Sequence, residues 1–162
     1  MIILGIDPGL NGALSFYDTT AEWLTIVDMP TMSIVRNGKD KREVSAQGVA
    51  DCILEIRPKR AYIERVGAMP GQGVSSVFSF GRSVGVLEGA LACMAVPVTL
   101  VTPQVWQKGV QQRSGKDGGR ERAMQLFPKQ SEQFKLKKHD GRADAALISY
   151  FGALNMLKIE GK

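Results

Sequence analysis

Short apolar runs open the chain and predict its first strands. They lie at residues 2–7, 13–18 and 23–29, and short polar stretches separate them. Three such runs joined by short turns predict an antiparallel meander of three strands. Residues 31–43 are polar and basic and show no period, so we expect a surface loop there.

A helix and a fourth strand follow this segment. Ser45 is a suitable N-cap, and the apolar residues behind it recur at helical spacing until the helix must end near Arg57, before Pro58. Residues 61–64 then form a short apolar run. Because a strand that follows a helical connection usually lies parallel to an earlier strand, we expect this run to pair with residues 2–7.

A long helix is predicted from Val74 to Met94, and glycines recur along it at every fourth position, at Gly81, Gly85 and Gly89. Each glycine costs up to ~1 kcal/mol in a helix, so we expect the sheet or a second subunit to pack closely on this stripe. Phe78 and Phe80 are expected in the core. The glycine-rich residues 66–73 before the helix lack the Gly-Lys-Ser/Thr of a phosphate-binding loop, which argues against a nucleotide cofactor.

The last part of the chain completes a mixed α/β pattern. It predicts a fifth strand at residues 96–101, a turn at Thr102-Pro103 with Val105 and Trp106 half-buried, a mobile basic stretch at 109–119, a short helix at 119–127, a basic polar stretch at 129–138, and a final helix from Asp140 to about Leu157. The expected architecture is a five-stranded sheet of three antiparallel strands followed by parallel strands, flanked by helices.

Composition narrows the class of protein. With 162 residues and 44% hydrophobic residues, the chain suits one globular domain, residues 1–162. No apolar run approaches the ~20 residues of a membrane helix, and no signal-peptide pattern is present, so we expect a cytoplasmic protein with Cys52 and Cys93 as free buried thiols. His139 is the only histidine. A zinc site or a Ser-His or Cys-His triad is therefore not expected, unless His139 alone serves.

Positive charge is concentrated in one segment. The net charge is +5, and residues 105–142 hold ten Lys or Arg against four Asp or Glu. Such a segment predicts a polyanion partner, although a solvated basic face is the alternative. The candidate nucleic-acid contacts are Lys108, Arg113, Lys116, Arg120, Lys137, Lys138 and Arg142.

Two carboxylates end apolar strands. Asp7 closes the first strand, just before Pro8, and Glu64 closes the fourth. If these strands are parallel neighbours, both carboxylates project at the edge where ligands of such sheets bind. A buried charge is costly without a partner, and a metal ion would supply one. The alternatives are that Asp7 only caps its turn and that Glu64 is a surface acid.

Two further carboxylates lie on the final helix. Its apolar stripe of Leu147, Phe151 and Leu154, continued backwards, reaches Asp144 and Asp140. We therefore expect both acids on the core-facing side, ~5–6 Å apart, where a shared cation would relieve their repulsion. The alternative is that Asp140 is an N-cap and Asp144 an acid favoured by the helix dipole.

Four acids without cysteine or clustered histidine form a hard, oxygen-rich donor set, which suits Mg²⁺ or Mn²⁺. Two such ions about 4 Å apart can activate water and stabilise the leaving oxygen of a phosphodiester. The basic segment would hold a nucleic-acid backbone, mostly without reading its sequence. Metal-dependent phosphodiester hydrolysis is the predicted reaction.

Three short motifs carry a resemblance to a known family. They are Gly5-Ile6-Asp7-Pro8-Gly9 followed by Gly12, then Tyr62-Ile63-Glu64, and finally Asp140 followed by Ala143-Asp144-Ala145. In this order and at these distances they resemble the RuvC family of Holliday-junction resolvases, most closely its phage-encoded branch, over essentially the whole chain. The resemblance implies an RNase H-like fold.

The same resemblance implies an endodeoxyribonuclease that makes paired nicks in four-way junctions of branched DNA as a homodimer. It implies that Asp7, Glu64, Asp140 and Asp144 bind Mg²⁺, with two ions per site and with Mn²⁺ as a substitute. It also implies that Lys108 and Lys116 contact the region of the scissile phosphate.

Two positions depart from the family pattern. The family more often spaces its last two acids by three residues, where this chain has Gly141, so Asp140 or His139 would fill that role. The family's bacterial members also carry an aromatic wedge after the Glu, which residues 66–69 lack. This departure is compatible with a broader debranching nuclease that also cuts three-way and flap structures.

Three other readings compete with a junction nuclease. An RNase H acting on RNA–DNA hybrids would use the same chemistry. A sugar kinase or actin-like ATPase also opens with a strand ending in Asp, but it needs two such domains. A protein that binds branched DNA without cutting it would leave the acids unused, although unneeded buried charges are costly.

Overall fold

The computed structural model describes residues 1–36, 38–67 and 71–160, with side chains to residue 158. Its strands and helices are β1 (Ile2–Asp7), β2 (Ala13–Asp18), β3 (Trp23–Asp28), β4 (Thr31–Arg36), β5 (Lys39–Val44), α1 (Ala46–Ile56), β6 (Arg60–Glu64), α2 (Val74–Cys93), β7 (Val98–Val101), α3 (Pro103–Gly109), α4 (Gly118–Leu126) and α5 (Asp140–Glu160), with short 3₁₀ helices at Pro128–Phe134 and Lys137–His139.

The central sheet has five strands in the order β3-β2-β1-β6-β7. The first three strands pair antiparallel, whereas β6 pairs parallel with both β1 and β7. The predicted meander and the predicted parallel pairing are therefore confirmed. Ser45 caps α1 as expected, because its side chain accepts a hydrogen bond from the backbone N–H of Gly48.

Helices cover both faces of this sheet. Along β1, Ile3 belongs to the apolar cluster under α5, whereas Leu4 and Ile6 belong to the cluster under α1 and α2. This alternation follows from the two-residue period of a strand. Gly5 faces α5, where a Cβ would lie only 2.8 Å from Ser149 Cα. The absence of a side chain at Gly5 thus lets α5 pack directly on β1.

The predicted surface loop at residues 31–43 was wrong. The segment contains strands β4 and β5, which form a separate two-stranded antiparallel sheet. Most of their side chains are exposed, so the strands lack the apolar alternation that marks a half-buried sheet. Asn37-Gly38 is a strong hairpin dipeptide and was the signal available in the sequence.

Several expectations about α2 and α3 also need correction. Phe78 is 61% exposed and Phe80 is only partly buried, so neither belongs to the core as predicted. Outside the helix itself, no described atom lies within 4 Å of a Cβ built on Gly81, Gly85 or Gly89, so the sheet does not pack on this stripe. The predicted turn at Thr102-Pro103 is the start of α3, because proline is well tolerated in the first turn of a helix.

The thiols were only partly predicted. Both cysteines are free, but Cys52 is partly buried and Cys93 is exposed. The predicted glycine-rich loop at 66–73 lies partly outside the described residues. Within the ranges given above, no helix combines the length and apolar character needed to cross a membrane.

Candidate functional site

Two carboxylates leave the central sheet side by side. In the parallel pairing of β1 and β6, Ile6 lies opposite Ile63, and the next residues are Asp7 and Glu64. Side chains alternate along each strand, so Asp7 lies on the same face as Gly5, the face covered by α5. Glu64 shares that face with Tyr62 of the α5 cluster. The sheet therefore presents both acids to one helix.

Helix α5 brings the third carboxylate, Asp144, to this edge. The approach depends on Gly141, one turn earlier, where a Cβ would lie 2.7 Å from Gly12 Cα and 3.0 Å from Asp7 Oδ2. A second glycine, Gly119 at the start of α4, lies against Asp144, because a Cβ there would be 2.9 Å from Asp144 Oδ1. Both glycines thus make room for the acids and their backbone.

Burial and mutual repulsion perturb these acids strongly. The pKa of Asp144 is raised to about 7, first by burial and then by the charges of Asp7, Glu64 and Asp140. Burial and the charge of Glu64 raise the pKa of Asp7 to about 6, although a hydrogen bond from Gly9 N–H at 3.4 Å opposes this shift. Among the described residues, the charges that raise these two pKa values all belong to other carboxylates, so a cation bound among them would lower both values.

Glu64 is held by a buried tryptophan. The indole Nε1–H of Trp106 donates to Glu64 Oε1 at 3.0 Å, and the Trp106 side chain is fully buried. Burial raises the pKa of Glu64, and this hydrogen bond opposes the rise. Sequence reasoning predicted Trp106 as half-buried and missed this contact. Nothing in its local pattern indicates it, because β7 and α3 bring Trp106 to Glu64 through the tertiary fold.

Asp140 does not lie on the core-facing side as predicted. Its side chain is 54% exposed and pairs with Arg120, whose Nε is 2.7 Å from Asp140 Oδ1. Asp140 is the first residue of α5, so no preceding helical turn orients its side chain towards the core. Arg120 of α4 lies close enough to pair with it instead. The charge of Asp140 still raises the pKa of Asp144, although less than the charges of Asp7 and Glu64 do.

His139, the alternative to Asp140, is buried at the end of the preceding 3₁₀ helix. Its Nδ1 accepts a hydrogen bond from Leu136 N–H at 3.4 Å. Burial lowers the pKa of His139, and the charges that act on it come from Arg142, Lys138, Asp28 and Arg120, so Asp7, Glu64 and Asp144 are not among them. The structure therefore gives no contact that links His139 to Asp7, Glu64 or Asp144.

The predicted basic residues fall into two groups. Lys108, Arg113, Lys116, Lys137 and Lys138 are exposed. Arg120 and Arg142 are engaged within the chain, since Arg120 pairs with Asp140 and Asp117, and Arg142 donates to both carboxylate oxygens of Asp28 at 2.5 and 2.7 Å. Only the first group presents its cations to a partner without breaking an internal ion pair.

The donor chemistry of the three acids fits a hard divalent cation. In the described residues, no three Asp, Glu, His or Cys side chains already form a group that could hold a metal ion, so the carboxylates would have to close around it. A buried side-chain oxygen without a hydrogen-bond partner also lies near Asp144. Oε1 of Gln112 is buried without a hydrogen-bond partner, and Gln112 and Asp144 both lie against Gly119.

Comparison with known proteins identifies the fold. No protein-family model matches the chain, and no curated protein matches it by sequence. Among solved structures, RuvC of Thermus thermophilus in complex with a Holliday junction substrate aligns with a TM-score of 0.67 at 14% identity, covering 96% of this chain and 94% of that one. A second structure of Thermus thermophilus RuvC gives a TM-score of 0.61 at 16% identity, with 96% and 95% covered.

A yeast mitochondrial Holliday junction resolvase, Ydc2, aligns less well, with a TM-score of 0.43 at 16% identity over 92% of this chain and 76% of that one. The two alignments with RuvC extend over nearly the full length of both chains. They include the mixed five-stranded sheet and the helices on both of its faces. The chain therefore has the RuvC-like form of the RNase H-like fold.

Proposed function

We propose that this protein is a metal-dependent endonuclease that cuts branched DNA, with four-way junctions as its preferred substrate. The observation that carries the proposal is the convergence of Asp7, Glu64 and Asp144 at one sheet edge. Their pKa values are raised, and no Lys or Arg of the described residues offsets their charges. Such an arrangement opposes folding unless a bound cation compensates it, so selection for a function is the simplest reason for its presence.

Divalent Mg²⁺ or Mn²⁺, bound as a pair, would supply an activated water and a stabilised leaving oxygen. The fold of the chain positions the residues that would bind these ions. Asp7 and Glu64 project from strands of the central sheet, and Asp144 from a helix packed on them. The core therefore holds the backbone of all three residues, and their side chains would close around the ions. Trp106 fixes one oxygen of Glu64 and leaves the other available. Gln112 places one more oxygen beside Asp144.

Asp140 remains the proposed fourth ligand. It lies one helical turn before Asp144, and its exposed carboxylate needs only to leave Arg120 to turn towards the other acids. The Nε–H of Arg120 could then donate to a phosphate oxygen, while its Nη2 stays paired with Asp117. The exposed Lys108, Arg113, Lys116, Lys137 and Lys138 would hold the DNA backbone around the site.

Branched DNA is proposed as the substrate because the structure with the higher TM-score is RuvC bound to a Holliday junction substrate. We also propose a homodimer, which would place two sites on opposed strands. The open glycine stripe of α2 supports this, since no other part of the described chain covers it. A monomeric mass in light scattering at micromolar protein would contradict the dimer.

A substrate panel tests the proposal. An immobile four-way junction, a three-way junction, a linear duplex and an RNA–DNA hybrid would be incubated with Mg²⁺, Mn²⁺ or EDTA. Paired symmetric nicks in the four-way junction that EDTA abolishes are the expected result. Equal cutting of three-way and four-way substrates would indicate a general debranching nuclease. Cutting of the hybrid alone, or junction binding without cutting in any metal, would overturn the proposed function.

A further inference from the structure

A cleft of about 750 Å³ opens beside Asp7, and its lining residues come from the β1–β2 turn, the β4–β5 hairpin and α2. One wall is the hairpin of β4 and β5, and the other is the N-terminal half of α2. The β1–β2 turn forms its floor, through Gly9 and Asn11. The described residues of the lining include none from the basic segment 105–142, so this cleft is a separate surface that reaches the same acid.

The hairpin is fixed to both neighbouring elements. Glu43 on β5 pairs with Arg82 on α2, with 2.6 Å between Oε2 and Nη1. Arg42 donates from Nη2 to Asn11 Oδ1 at 2.9 Å, which ties the hairpin to the β1–β2 turn. Val44 at the base is buried in the core. The cleft is therefore a formed feature of the fold, with both of its walls anchored.

The lining suits a phosphate backbone. The hairpin contributes three cations, Arg36, Lys41 and Arg42, and α2 faces them with the hydroxyls of Ser75, Ser76 and Ser79. Arg, Lys and Ser side chains are common donors to phosphate oxygens. Besides Asp7, the acids of the lining are Asp40 and Glu43, and Glu43 is already paired with Arg82. An excess of positive charge thus remains on the hairpin wall.

An aromatic ring lies next to this wall. Phe78 is 61% exposed, and the guanidinium carbon of Arg36 lies 5.9 Å from its ring centroid. Exposed aromatic rings beside a basic groove are the usual platform on which unpaired bases stack. The volume of the cleft falls in the range that encloses small ligands and cannot enclose a duplex.

We propose that this cleft binds a short unpaired stretch of the DNA substrate next to the phosphate at Asp7. Lys41 and Arg36 hold its backbone, and the Arg36–Phe78 pair receives a base. Because the inference rests on the proposed nuclease function, its test measures binding separately from cleavage. Opening of base pairs at a branch point supplies the unpaired nucleotides, which links the cleft to branched substrates.

The test compares the double variant Arg36→Gln/Lys41→Gln with wild type. Fluorescence anisotropy would measure binding of a labelled 20-nucleotide oligo(dT) strand and of a duplex of the same length in EDTA, over a series of salt concentrations. Each lost phosphate contact lowers the salt slope by about 0.7 for a single strand, so we expect a fall of about 1.4. Affinity for the strand should drop about tenfold or more, with a smaller loss for the duplex.

Two further variants sharpen the result. Lys39→Gln removes a cation of the same hairpin that does not line the cleft, and it should stay within about twofold of wild type, well below the effect of a specific contact. Phe78→Leu keeps an apolar side chain but removes the ring, and it should weaken strand binding at least about fivefold. Circular dichroism would confirm that these exposed substitutions leave the fold intact.

Unchanged strand binding by the double variant would overturn the inference, as would an equal loss for strand and duplex. A wild type that binds the strand through these residues yet cuts no junction would instead refute the nuclease and leave the cleft assignment in place. If wild type cuts junctions but the cleft variants bind the strand as wild type does, the nuclease function stands and the cleft assignment is refuted.

Discussion

Replacing Asp144 by asparagine should stabilise the metal-free protein at neutral pH. Asp144 is buried beside Asp7 and Glu64, and its pKa is raised from 3.8 to about 7. Asparagine keeps nearly the same shape but carries no charge. The variant therefore removes the repulsion and desolvation of one carboxylate without opening a cavity.

The sign of the pH dependence follows from the raised pKa. Between about pH 4 and pH 7, folded Asp144 retains a proton that the unfolded chain has released. The folded state therefore binds more protons, and the free energy of unfolding falls as pH rises through this window. The stabilising effect of the neutral carboxyl is complete below pH 4 and lost above pH 7.

The pKa shift sets an upper bound on the gain in the free energy of unfolding from Asp144→Asn. A pKa raised from 3.8 to about 7 corresponds to about 4 kcal/mol at most, at about 1.4 kcal/mol per pH unit. A buried amide without full hydrogen bonding costs about 1–3 kcal/mol, which leaves a net gain of roughly 1–3 kcal/mol at pH 8. For a chain of this size, that gain raises Tm by about 2–12 °C.

Differential scanning calorimetry in EDTA would measure Tm of wild type and Asp144→Asn from pH 4.5 to pH 8. We expect the variant to be less stable than wild type at the acidic end, where only the cost of the buried amide remains, and more stable than wild type towards pH 8. Glu121→Gln, an exposed acid on α4, is the matched control and should show no such trend. Adding Mg²⁺ at pH 8 should raise Tm of wild type more than that of the variant. A variant less stable than wild type at pH 8 in EDTA would refute the assigned repulsion.

Three other predictions follow from the site. Trp106→Phe keeps the buried ring but removes the donor to Glu64, so the Mg²⁺ concentration for half-maximal cleavage should rise about tenfold or more; an unchanged metal requirement would contradict a positioning role for Trp106. Gly141→Ala would force a Cβ against Gly12 and Asp7, and thermal unfolding should show a loss of about 2 kcal/mol or more; an unchanged Tm would show that α5 can shift. Substituting Gly85 by Leu should leave the monomer folded, because space around it is open, and should lower the dimer mass in light scattering; a persistent dimer would place its interface elsewhere.

Local sequence signals correctly predicted the strands that carry Asp7 and Glu64 and the helix between them. The apolar run before Asp7, the Ser45 cap and the short strand ending in Glu64 are decided by neighbouring residues, and all three were predicted. The pairing of β1 with β6 then followed from chain connectivity. These features required no knowledge of distant contacts, which is why pattern and turn chemistry were sufficient.

Tertiary contacts decided what the sequence did not predict. Helical periodicity placed Asp140 on the same stripe as Asp144, but the first residue of α5 instead pairs with Arg120 from α4. Trp106 reaches Glu64 only because α3 follows the edge strand β7. The exposed strands of the hairpin carry charges on both faces, so their pattern resembled a loop. For Asp140 and Trp106, a partner far along the chain determined the outcome, whereas the hairpin was missed because its exposed strands lack apolar alternation.

The central claim is that Asp7, Glu64 and Asp144 hold the metal ions that cut branched DNA. Its most direct test is single-turnover cleavage of an immobile four-way junction in Mg²⁺ by wild type and by Asp7→Asn, with junction binding measured in parallel. We predict paired nicks by wild type, and loss of cleavage with retained binding in the variant. Cleavage by Asp7→Asn at the rate of wild type would contradict the account.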